Sequence, residues 1–130
     1  MSNKVRSLVA EVLETGLDDW MPIFHVIDRA SVLSGQERRL SGDIVMAALQ
    51  IFVENDMLTA GYLGEFGFEA WGLEPRQALG RIRHECDAKE WDLGLRDIWL
   101  ATTEKGDDVA RLIEAEGEGV LARVEGFSFD

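Results

Sequence analysis

The sequence predicts an α+β fold, and three observations carry that expectation. Apolar residues recur at helical spacing in several separate segments. The run Ile98-Trp99-Leu100-Ala101-Thr102 reads as a strand leading straight into a capped helix, and Met57 to Leu63 reads as a second short strand. With 130 residues, 46% of them hydrophobic and 29% charged, the chain is expected to form one domain over 1–130 with a core of its own.

The elements follow in order. Residues 4–15 place Val5, Leu8, Val9, Val12 and Leu13 on one helical face, and Gly16 stands where a helix ends. Asp18 and Asp19 precede a second, largely buried helix with Trp20 and Pro22 in its entry, fading near Ser31 to Ser34. Ser34 to Arg39 is a polar connection. Ser41-Gly42-Asp43 opens a third helix, where Ile44, Val45, Ala48, Leu49, Phe52 and Val53 form a broad apolar stripe that ends near Asn55. After the Met57 strand, Gly64 to Gly72 is rich in glycine and aromatics and is expected to be an ordered turn packed by its rings. Glu74-Pro75 starts a fourth helix over 75–90, with Leu79, Ile82, Cys86 and Trp91 to one side. The last helix runs from Glu104 to about Glu116 and buries Val109, Leu112 and Ile113. Residues 117–130 are either a C-terminal strand or a tail.

Thr103, Glu104, Lys105 and Gly106 after the Ile98 strand resemble the end of a winged helix-turn-helix domain. In that family a strand leaves the wing, a threonine caps the next helix, and a glycine three residues on lets the helix start against the sheet. The helix, polar turn and Met-Leu strand over 43–63 are similar to the same family. The resemblance covers roughly residues 4–63 and 96–115. It implies a winged-helix-like three-helix core, a small antiparallel sheet, and an extra helix inserted in the wing, with 64–95 as an enlarged wing insertion.

Charge pulls against the DNA-binding role that this resemblance implies. The chain carries 13 basic and 25 acidic residues, a formal net charge of −12, and the excess is spread as −4, −3 and −5 over residues 1–59, 60–102 and 103–130. A uniformly acidic surface repels phosphate backbones. In the family the third helix presents basic or amide side chains to base edges. Here that helix offers Gln50 and Asn55 but neither lysine nor arginine. The DNA reading therefore rests on Arg38, Arg39, Gln50, Arg76 and Arg83 as an alternative.

Two histidines and one cysteine leave little material for nucleophilic or metal chemistry, and His84 and Cys86, two apart on a helix, point to different faces. No catalytic residue, cofactor or metal site is expected. Nor is a membrane contact, because no apolar run nears the roughly 18 residues a span needs; a cytoplasmic location and a reducing compartment fit the single cysteine.

Aromatic residues carry the favoured expectation. Trp20 and Trp99 fall on apolar segments and are expected in the core, whereas Phe66, Phe68 and Trp71, with Glu65 and Glu69 beside them, would form a carboxylate-rimmed apolar patch suited to a basic protein. An exposed stripe of Val5, Val9, Val12 and Leu112 would predict a homodimer. The sequence thus points to a non-enzymatic acidic protein-binding module, an inhibitor, immunity-type or regulatory protein. The alternative is a dimeric winged-helix DNA-binding transcriptional regulator.

Overall fold

Helix α1 (Asn3–Gly16) forms on the expected apolar stripe and becomes the centre of the molecule, with Leu8, Val9, Val12 and Leu13 fully enclosed. The computed structural model describes residues 3–17 and 19–123. The capping role expected of Asp18 and the course of 124–130 lie outside the described residues. Next come β1 (Met21–Pro22), α2 (Ile23–Ser34), α3 (Gly42–Glu54), β2 (Leu58–Gly64), β3 (Gly67–Ala70), α4 (Pro75–Ala88), β4 (Trp99–Thr102) and α5 (Glu104–Glu116). The fold is α+β. Helices α2, α3 and α5 pack around α1, and an antiparallel sheet in the order β1-β4-β2-β3 closes one side.

The sheet presents one face to the helices. Met21, Leu58, Ala60 and Leu100 point inward and are buried, as alternation along the strands requires. Pairing of Gly61 with both Trp99 and Ala70, and of Leu63 with Phe68, puts those residues on the opposite face.

Helix α5 starts directly after β4 with Thr103 as its cap. Thr103 Oγ1 accepts the Gly106 N–H at 3.1 Å, and Gly106 is buried so close to the sheet that a Cβ there would lie 2.3 Å from the Met57 carbonyl oxygen. The Thr103 hydroxyl in turn donates to the Asp56 carbonyl at 2.6 Å, and so ties the cap to the turn that feeds β2.

Several expectations are corrected. Met21 and Pro22 are not in a helix: they pair with Leu100 and Trp99, and Pro22, with φ −73° and ψ 147°, forms the extended N-cap of α2. Gly64 to Gly72 is not a turn packed by its rings. Glu65 and Phe66 form the two-residue tip of a hairpin closed by the Gly64–Gly67 pair, and Phe66 is 93% exposed. The segment 64–95 is accordingly a short hairpin followed by a helical layer, since α4 packs Ala78, Ile82 and Cys86 toward α3. The stripe of Val5, Val9 and Val12 is buried in the chain's own core and is not the exposed stripe expected, while Leu112, expected in the core as well, is 43% exposed. Trp20 is outside the core at 47% exposed, and Trp99 is half-buried. Residues Glu118–Arg123 form a 3₁₀ helix that seats Val120 and Leu121 against the core, so no strand begins there.

Candidate functional site: an aromatic face of the sheet

The outward face of the sheet is lined mainly by apolar side chains. Thr59 and Leu63 of β2, Phe68 and Ala70 of β3, and Trp99 and Ala101 of β4 all point that way, and Trp20, two residues before Pro22, joins them. Trp20 and Phe68 make a tilted aromatic pair with ring centroids 6.4 Å apart. Gly67, at φ 116°, is the platform for this pair, because a Cβ there would come within 2.7 Å of the Trp20 ring. The Trp99 indole N–H donates to the Leu95 carbonyl at 2.8 Å, which fixes that ring at the other end of the face. Leu63 and Leu95 remain 44% and 65% exposed. Phe66 stands at the hairpin tip with Glu65 beside it.

The five residues expected to form one patch are divided by strand alternation. Phe68 lies on the aromatic face and Phe66 projects from its tip, next to the exposed Glu65. Glu69 lies on the other face, where it accepts a hydrogen bond from the Tyr62 hydroxyl and pushes that phenol above its ordinary range. Trp71 is half-buried against the core, with the Arg81 guanidinium stacked 4.0 Å above its ring and its indole N–H enclosed without an acceptor among the described residues. In their place the structure supplies Trp20, Leu63 and Trp99. The signal for Trp99 was present in the sequence, since Ile98 and Leu100 alternate with it. Trp20 gave no such signal, because its orientation follows from a strand of two residues.

The arginines of the alternative reading are mostly engaged. Arg38 bridges Asp28 at 2.7 Å and Asp92 at 3.3 Å, and Arg39 pairs with Glu37 at 3.4 Å. Arg83 pairs with Asp43 at 3.4 Å and Asp87 at 3.5 Å. Arg76 is exposed, with no ion pair among the described residues. Gln50 is exposed but donates to Glu54 at 3.2 Å, and Asn55 donates to the Ile51 carbonyl of its own helix at 2.8 Å. Each exposed pair adds little stability, yet each neutralises a cation that a phosphate would need.

Perturbed groups elsewhere have structural causes. Burial, with the Asp87 and Glu85 charges, pushes the Cys86 thiol up to about 12. Asp97 is partly buried, which works against its ionisation, but the Gly94 N–H and the Lys89 ammonium prevail and hold its carboxyl below the usual range. His84 is exposed while Cys86 is buried, so the two diverge as their spacing predicts. No helix among the described residues is long and apolar enough to cross a membrane.

The fold and this site together define an acidic α+β domain with an open aromatic sheet face. Comparison with protein-family models, with curated proteins and with solved structures finds no match.

Proposed function

We propose that the chain is a non-enzymatic binding module that docks a protein partner on the outward face of its sheet, acting as an inhibitor, immunity-type or regulatory protein. The observation that carries this reading is the exposure of Phe66, at 93%, beside the half-covered pair of Trp20 and Phe68. Burying a phenylalanine side chain is worth about 1.5–3 kcal/mol, and the fold leaves that term unused at the hairpin tip. Aromatic anchors of this kind dominate protein interfaces. The net charge of −12 favours a basic partner over a second copy of the chain, which would be repelled. The winged helix-turn-helix resemblance is proposed for the fold as well, supported by the order of the elements and by the Thr103–Gly106 helix start. The local pairing of Arg38, Arg39 and Arg83 weighs against a DNA-binding regulator.

Site-specific photo-crosslinking tests the choice. A benzophenone side chain replacing Phe66, and in a separate variant Arg39, is activated in cells of the native host. The docking reading expects a discrete protein adduct at 66 that survives nuclease and none at 39. Nucleic acid captured at 39, with no protein at 66, would overturn it.

A further inference from the structure

Where β3 ends, a cavity of ≈ 200 Å³ opens between the start of β2, the turn after β3 and the first turn of α4. Val53, Leu58, Ala60, Leu73 and Pro75 give it apolar walls, and Trp71 also lines it. Among the described residues Asp56 is the one charged residue lining it. That aspartate is exposed and held in the left-handed region at φ 55°, with its carbonyl bonded by Thr103 and its N–H donating to Val53 at 3.3 Å. Its backbone is therefore fixed, while its carboxylate forms no ion pair among the described residues.

We infer that this cavity takes one basic side chain of the docked partner, a lysine or arginine whose methylene stem lies along the apolar walls and whose charge meets Asp56. The volume is below the roughly 300–1,000 Å³ of cofactor and drug-sized pockets, which selects an occupant the size of a single side chain. An apolar channel with one charge suits a residue that buries its stem and keeps its charged head at the rim. The sign is set by Asp56 and by the net charge of −12, both of which repel a carboxylate or phosphate, while the Arg81 guanidinium on the Trp71 ring is already paired with Glu85 at 3.4 Å. Thr59 and Ala70 line the cavity and also belong to the outward face, so a partner seated on that face reaches it without bridging a gap. The identity of the occupant rests on the docking reading above; the cation preference of the cavity does not.

The test uses n-butylguanidinium as the probe, followed by amide NMR on the full chain, with n-butanol and butyrate as neutral and anionic counterparts. Saturable shifts are expected at residues 53–60 and 71–78, with a dissociation constant on the order of tens of millimolar for so small a ligand. Asp56→Asn keeps the left-handed backbone, which asparagine tolerates, and should weaken the probe about fivefold. Non-saturating shifts, equal binding of n-butanol or butyrate, or an unchanged affinity in D56N would overturn the inference. Because the probe is a free cation, these outcomes do not depend on the crosslink at position 66. A specific cavity without that crosslink would sink the docking reading alone.

Discussion

At Gly106 a single methyl group decides whether α5 can meet the sheet. A Cβ there would stand 2.3 Å from the Met57 carbonyl oxygen, and that oxygen already accepts the Thr103 N–H at 3.0 Å, so the backbone opposite is held in place. Alanine improves helix propensity by about 1 kcal/mol, yet Gly106→Ala is expected to lose about 2–4 kcal/mol net because the clash is with backbone. Urea denaturation checks this; a variant as stable as the parent would remove the close approach from the account. Cys86 is the second decisive residue. Buried beside Asp87 and Glu85, its thiol is held up to about 12 against an ordinary 9.0. Native protein at pH 8 is expected to be inert to a thiol reagent and unfolded protein fully reactive. The unfolded thiol ionises first, so this contribution to stability is complete below about pH 9 and is lost as pH rises toward 12. Cys86→Ala should flatten the alkaline slope of stability, and an unaltered slope would assign that slope to other groups, Tyr62 among them.

Between elements, the α4 layer is fastened through Trp91. Glu90 and Trp91 both take left-handed conformations, at φ 54° and 64°, which turns the chain so that the Trp91 ring lies against Gly42 at the start of α3. Its indole N–H donates to Asp87 at 3.0 Å, and a Cβ on Gly42 would lie 2.8 Å from the ring. Gly42→Val should therefore loosen this layer by about 1–3 kcal/mol. Hydrogen exchange would show faster exchange over 75–98 with α1 and α5 unchanged, whereas uniform acceleration would mean that α4 is part of the global folding unit. Helices were the legible elements of the sequence, because a period of 3.6 residues marks each within itself: α5 runs over Glu104–Glu116 as the stripe and cap predict, and α1 lies within a residue of its expected bounds. Strands were legible only where they were long enough to show a pattern. β2 and β4 were visible, but β1 has two residues and exists through its pairing with Leu100 and Trp99, and β3 was masked by the glycines of its hairpin. The site suffered for the same reason. Phe66 and Trp71 read alike as residues of one loop, and the separation of Phe68 from Glu69 and Trp71 depends on an alternation that only the hairpin register defines.

For the molecule as a whole, charge acts with opposite sign on folding and on the docking proposed above. Among the described residues nine of the 13 cations are held in ion pairs, and the remaining carboxylate excess leaves the surface repelling itself. At an ionic strength of 10 mM that repulsion reaches across the domain, since the screening length is about 30 Å, and near 0.5 M it is cut to about 4 Å. Raising sodium chloride over that range should therefore stabilise the free protein, by about 1 kcal/mol or some 3–6 °C in thermal midpoint. The exposed ion pairs are weakened by the same salt, but each is worth little, so the net effect stays positive. A midpoint that falls with salt would show that the pairs outweigh the repulsion. The complex should respond the other way. A basic partner drawn to this surface associates more slowly as salt rises, while contacts to Phe66, Trp20 and Phe68 are spared, so affinity should drop through the association rate with little change in dissociation. Scanning salt in both a thermal melt and a binding-kinetics experiment separates the two terms. Stability rising while association slows places the charge in steering and the aromatic face in holding; association insensitive to salt would leave the aromatic face as the whole of the recognition.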